Sequence, residues 1–232
     1  MLYPSSGISE REVEKILPDE ISLHVTRIPM SMPTYDSVLH MADSLEEASK
    51  LLADAQVDVI VFNCTIGSLI GGKGYDRRII ERIHQATGLP ATTTTTALMA
   101  ALRALAISTL VMVSPYADLL HQKEKAFLES EGFRVLHERS LGLSDCFQQY
   151  DTAPTRWFEM VKAMQEPRSD CYFISCGGIR VVEIIQQLET ELGKPVVTSN
   201  QALVWHCLKI FGWQQPLEGF GRLLQTYPAD KK

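Results

Sequence analysis

Two stretches of this chain carry one pattern. In "DVIVFNCTIGS" Asp58 precedes Cys64 by six residues, and in "DCYFISCGGIR" Asp170 precedes Cys176 by six. Each is a short apolar run broken by a cysteine and small residues, as expected of a buried strand that ends at a turn. Downstream, "GLPATTTTTAL" (Gly88 to Leu98) matches "GKPVVTSNQAL" (Gly193 to Leu203), with the glycine, the proline and the Ala-Leu pair in register. A third, weaker echo pairs "YPSS" at 3–6 with "SPYA" at 114–117. A repeat at this spacing predicts two similar units, an N-terminal lobe over 1–105 and a C-terminal lobe over 106–215, with a tail over 216–232. The first lobe has only Met1 to Tyr3 ahead of its Pro-Ser, so its opening strand is either clipped or very short.

Within each unit, apolar β-rich runs alternate with segments of helical period. Strands are expected at 21–28, 57–63, 90–94, 108–113, 133–138, 170–175 and 195–198, with 57–63 and 170–175 central. Helix starts are marked by two capping boxes, Ser9-x-x-Glu12 and Ser44-x-x-Glu47. Gly132 and Gly193 stand where helices should stop. Repeated βα alternation with nearly continuous apolar strands predicts an α/β fold of two pseudo-symmetric Rossmann-like lobes. Each would be a mostly parallel sheet covered by helices, with ligands at the carboxyl ends of the strands.

Composition narrows the function. The 232 residues carry a net charge of −6 with their basic residues scattered, which argues against a nucleic-acid surface. No apolar run is long enough to span a bilayer, and the N-terminus resembles no targeting peptide. The five cysteines are odd in number and irregular in spacing, which fits a reducing cytoplasm better than a disulfide framework. With no C-x-x-C and no H-x-x-x-H, no metal site is expected. "GSLIGGK" (Gly67 to Lys73) imitates a phosphate-binding loop, but Gly74 stands where the metal-ligating hydroxyl belongs, so nucleotide chemistry is not expected.

That leaves the cysteines. Cys146, Cys171 and Cys207 read as small buried apolar residues. Cys64 and Cys176 each follow a central strand, at equivalent places in the two lobes, and are expected to face one cleft. A helix dipole there is expected to lower the thiol pKa. Opposed thiols suit a cofactor-free reaction next to a carboxylate, one adding or removing a proton while the other delivers one. The donors available for the carboxylate are the amides after Cys64 and Cys176, the Thr65 hydroxyl and the Tyr116 phenol.

The motifs "NCTIGS", "GLPATTTTTALMAALRAL", "VSPY", "SLGLSD", "SCGGI" and "GFGRLL" resemble the aspartate/glutamate racemase superfamily, in its arylmalonate decarboxylase and maleate cis-trans isomerase branch. The resemblance runs from Pro4 to Leu224. It implies catalytic roles for Cys176, matched to the cysteine that protonates the product, and for Cys64, matched to the isomerases' second cysteine. Thr65, Tyr116 and the Gly177 amide resemble a carboxylate cradle, Ser5 and Ser6 the substrate-binding loop, and Tyr35 a pocket wall. Two isomerase asparagines are missing: Gly7 and Cys146 stand at their places. Arg27 is either a partner for a second carboxylate or a surface arginine on a half-buried strand.

The expectation is a cytoplasmic, cofactor-independent isomerase or racemase acting on a small carboxylate or dicarboxylate. Neither nucleic acid nor membrane is a partner, and assembly into a homo-oligomer is compatible with it. The alternatives are decarboxylation of a disubstituted malonate, with Cys176 as proton donor, and a carboxylate-binding protein without catalysis.

Overall fold

A computed structural model describes residues 1–226; residues 227–232, the end of the expected tail, lie outside the described residues. The chain builds two four-stranded sheets, every paired strand parallel to its neighbours. The first half runs β1 (Leu2–Pro4), α1 (Glu10–Glu14), β2 (Thr26–Ile28), α2 (Tyr35–His40), α3 (Leu45–Asp54), β3 (Ile60–Phe62), α4 (Thr65–Leu69), α5 (Tyr75–Thr87), β4 (Ala91–Thr93) and α6 (Thr94–Ala104). The second runs β5 (Thr109–Tyr116), α7 (Asp118–Ser130), β6 (Arg134–Leu143), α8 (Cys146–Asp151), α9 (Pro154–Lys162), β7 (Cys171–Ile174), α10 (Ile185–Leu192), β8 (Val196–Thr198) and α11 (Ser199–Ile210). The strand orders, β2-β1-β3-β4 and β6-β5-β7-β8, are the same topology.

Register makes the equivalence residue-specific. Leu2 lies opposite Phe62 and Val113 opposite Ile174, so Pro4 and Pro115 fall at equal offsets and even the weak third echo is in phase. Phe62 pairs with Thr93 and Ile174 with Thr198. Both threonines then cap the following helix, accepting from the N–H groups of Thr96 and Gln201. The cap of α11 is therefore Thr198, which leaves the Ser199 and Asn200 side chains free to face the other lobe. Helices α6 and α11 pack against each other and join the halves.

Several expectations change in detail. The strand expected over 21–28 is only Thr26–Ile28, because its neighbour β1 is three residues long and offers 21–25 no ladder. Strand β6 runs on to Leu143, since β5 extends to Tyr116 and pairs with it there. Neither capping box forms. Ser9 turns its hydroxyl to Tyr3 and to the Gly177 carbonyl, and Glu12 accepts the N–H groups of Val181 and Val182 at 2.8 and 2.9 Å. A local cap has become a strap between the lobes. Residues Gly67 to Leu69 lie within α4, so the phosphate-loop lookalike opens as helix where a loop would be needed. Among the described residues, no helix is long and apolar enough to cross a membrane.

Candidate active site

Strand β3 delivers Cys64 as the N-cap of α4, in extended backbone (φ −153°, ψ 110°), where its Sγ accepts the Gly67 N–H at 3.3 Å. A Cβ on residue 67 would stand 2.9 Å from that sulfur, so glycine is what lets the helix begin this close. Strand β7 delivers Cys176 into a turn instead. Its φ of +108° is a left-handed conformation that costs an L-residue with a Cβ on the order of 1–3 kcal/mol. The turn is held by a bond from its N–H to Ser199 Oγ at 3.0 Å and from the Gly178 N–H to its own Sγ at 3.2 Å. Gly177 must be glycine too: a Cβ there would meet Asn63 Oδ1 at 2.7 Å.

Cys64 and Cys176 line one pocket of about 40 Å³, one thiol from each half of the chain. Thr65, Tyr116, Cys146 and Gln149 share its wall, and Ile8, Met30 and Pro33 give it an apolar side. A polar seam from both halves runs beside it. Asn63 Nδ2 donates to Asn200 Oδ1 (3.2 Å), Asn200 Nδ2 to the Gly177 carbonyl (3.0 Å) and the Thr65 hydroxyl to Ser199 Oγ (2.8 Å). Two of the threonines of the 92–96 run, Thr94 and Thr95, buttress the same seam through Asn63 and the Thr65 carbonyl.

The expected lowering of thiol pKa does not occur. Burial pushes both Cys64 and Cys176 up to about 12, with the amide of Gly67 pulling the first down and those of Gly178 and the Tyr116 hydroxyl the second, each by less. Helix α4 is one short turn and a half, and Cys176 opens a turn, so neither sulfur has a helix strong enough to offset desolvation. Both rest as thiols. Tyr116, buried and raised well above its ordinary value, stays a phenol and hence a hydrogen-bond donor.

The other expected residues divide. Thr65, Tyr116 and Gly177 are at the pocket, although the Thr65 proton is committed to Ser199. Ser6 reaches its edge by donating to Cys146 Sγ at 3.2 Å, while Ser5 turns away to bond Met30 through its N–H and carbonyl. Tyr35 stands outside the lining, under the Lys123 ammonium 4.7 Å from its ring centre. Arg27 is outside as well: it binds the Pro4 and Gly7 carbonyls and the Glu10 carboxylate, so it clamps the loop after β1 and has no second carboxylate to hold. Cys146, expected to be an inert core residue, is only partly buried and faces both other thiols. Gln149 went unnoticed; its Oε1 accepts from the Cys176 thiol at 3.8 Å. The available signal for both was Asp145, which caps α8 through the Gln148 N–H and so turns Cys146 and Gln149 inward.

The family model for arylmalonate decarboxylase matches residues 3–224. An arylmalonate decarboxylase of Bordetella bronchiseptica is 29% identical over 95% of this chain and 92% of its own length. A maleate isomerase of Pseudomonas putida is 27% identical, covering 96% and 95%. The solved maleate cis-trans isomerase of Nocardia farcinica superimposes with a TM-score of 0.93 at 25% identity, over 97% of this chain and 96% of that one. With its doubled sheet, its shared two-thiol pocket and a match along nearly its whole length, the chain belongs to the arylmalonate decarboxylase family.

Proposed function

We propose that this chain is a cofactor-independent isomerase that converts maleate to fumarate, with Cys64 and Cys176 as its working thiols. The observation that carries the proposal is a single small pocket walled by one thiol from each lobe. Cys176 is the acid: although the Gly178 amide and the Tyr116 hydroxyl favour its thiolate, it is the one of the two that donates its S–H to an acceptor, the Gln149 carbonyl oxygen. Cys64 is the nucleophile: its sulfur accepts the Gly67 N–H, which favours the thiolate.

Cys64 releases its proton to solvent as the substrate enters, and its sulfur then adds to one alkene carbon as Cys176 gives its proton to the other. The former double bond, now single, rotates. Cys176 takes the proton back while the carbon–sulfur bond breaks, and the alkene re-forms with its carboxylates trans. The Cys64 proton returns from solvent as the product leaves, so bonds and protons balance. The substrate carboxylate is held by the Gly177 amide. The five unpaired thiols fit a reducing compartment, and we place the enzyme in the cytoplasm.

A second reading is favoured by Ile8, Met30, Pro33 and Cys146 on the pocket wall: an apolar substituent packed there would suit decarboxylation of a substituted malonate, with Cys176 protonating the product. Proton NMR of the purified protein with maleate separates the two. Fumarate should appear, and both Cys64→Ala and Cys176→Ala should lose at least about 10³-fold in rate. Release of CO₂ from an arylmalonate, retained by Cys64→Ala, with maleate untouched, would hand the site to the second reading.

A further inference from the structure

From Cys176 a chain of polar side chains runs into the second lobe. Tyr116 shares the pocket wall with Cys176, and its hydroxyl lies within electrostatic reach of the side chains of Cys176 and Ser175. Ser175 Oγ lies 2.5 Å from Glu124 Oε1 on α7. Ser175 and Glu124 are fully buried, and Glu124 Oε2 has no hydrogen-bond partner. A buried carboxylate with one partner and no cation is strongly disfavoured, so this side chain holds its proton. Burial accordingly pushes Glu124 up to about 8. The first lobe has no such chain, because Asn63 occupies the place before Cys64 and an amide does not titrate.

We infer that Glu124 is the proton store of Cys176, acting on it through Ser175 and Tyr116. When Cys176 gives its proton to the substrate carbon, its S–H bond breaks and leaves a buried thiolate. Tyr116 then passes its hydroxyl proton to that sulfur, Ser175 passes its own to the Tyr116 oxygen, and the Glu124 carboxyl passes its own to the Ser175 oxygen. The thiol is restored and Glu124 is left as a carboxylate. The reverse sequence returns the proton. A carboxyl near 8 giving up its proton to a thiol near 12 runs downhill, and no water has to enter the pocket. Glu124 is thus a positioning residue that touches no substrate.

Its surroundings leave the titration to Glu124 itself. From β5 it is faced by Tyr116, and from β7 by Ser175 with Cys176 beyond. Helix α4 reads Thr-Ile-Gly-Ser-Leu and brings no titratable group. From β6, Glu138 is taken up by His121 at 2.8 Å and Lys125 at 3.2 Å, and Lys123 lies over the Tyr35 ring.

The inference rests on Cys176 as proton donor, and two arms test it apart from the choice of substrate. Glu124→Gln keeps the shape but has no acidic proton. Its kcat on maleate should fall at least about tenfold with KM changed less than about twofold, and Glu124→Asp should recover part of the loss. The wild-type rate should decline as pH passes about 8 and the store empties, a decline missing from Glu124→Gln and from Ser175→Ala. A Gln variant within twofold of wild type, or one that keeps the alkaline decline, overturns the inference. The second arm is infrared difference spectroscopy of the whole protein without substrate. A protonated-carboxyl band should be present at neutral pH, titrate near 8, vanish in Glu124→Gln and shift when Cys176 is alkylated with iodoacetamide. No such band at neutral pH sinks the store even if maleate is turned over; the band without maleate turnover keeps the store and sinks the substrate.

Discussion

The two strand ends that carry Cys64 and Cys176 differ more than their shared topology suggests. Cys64 caps a short helix in relaxed, extended backbone and is backed by an amide, Asn63, tied into the seam between the lobes. Cys176 sits in strained, left-handed backbone, is followed by a glycine turn and is backed by a serine bonded to a buried acid. The repeat supplies two equivalent positions. Their neighbours make their surroundings unequal, and the proposed division of roles between the two thiols rests on that difference. Symmetry of the fold, in this chain, is a scaffold for asymmetry of the chemistry.

Experiments that erase one side at a time can break that contrast. The largest effect concerns the thiols at rest. With both pushed up to about 12, each should react with iodoacetamide at neutral pH about 10²–10³ times more slowly than an exposed cysteine, with rates rising about tenfold per pH unit to beyond pH 10. Mass spectrometry of each modified peptide measures this, and a plateau near pH 8 at Cys64 would show that substrate-free burial is not what governs it. Next, Gly177→Ala drives a methyl into Asn63 Oδ1 and should lower kcat about 10- to 100-fold while costing about 1–3 kcal/mol in urea unfolding; Gly178→Ala, whose Cβ would sit 3.5 Å from the Cys176 sulfur, should be much milder.

The stability profile gives a smaller effect. Glu124 is raised in the folded protein from its ordinary 4.5 to about 8, so the native state holds more protons across that window and its stability falls as pH rises through it. Glu124→Gln removes the decline. Its stability relative to wild type should therefore climb by about 2–4 kcal/mol between pH 5 and pH 9, read from denaturant midpoints; a difference independent of pH would mean that Glu124 is ionised throughout. The smallest effect is expected at Cys171 and Cys207, buried and outside the pocket, where serine should leave kcat within about twofold.

Much of this was legible from periodicity. Helix α5 covers Tyr75–Thr87 as its pattern indicates, and the doubled Asp-to-Cys spacing lies on β3 and β7, two of the four inner strands, since strands buried on both faces are apolar throughout. What could not be read was where polar side chains spend their hydrogen bonds. Ser9 and Glu12 have the spacing of a local cap, yet a partner 168 or more residues away competes for each and wins. Cys146 and Gln149 reach the pocket because β6 outruns its apolar run and α8 starts at Asp145, a matter of strand length that period alone does not set. The pKa of the thiols failed for a similar reason: the sequence announces a strand end, while the depth of burial there depends on the other half of the chain.

The interlocking of Asn63 with Asn200, Thr65 with Ser199 and Glu12 with Val181 and Val182 has a consequence for biosynthesis. Although the gene looks like two copies of one unit, neither copy could be expressed alone as a finished object, for each would present buried-type amides and a carboxylate with nothing to bind. The pocket can close only after α11 has left the ribosome. Until then, Cys64 stands without the wall that Cys176 supplies.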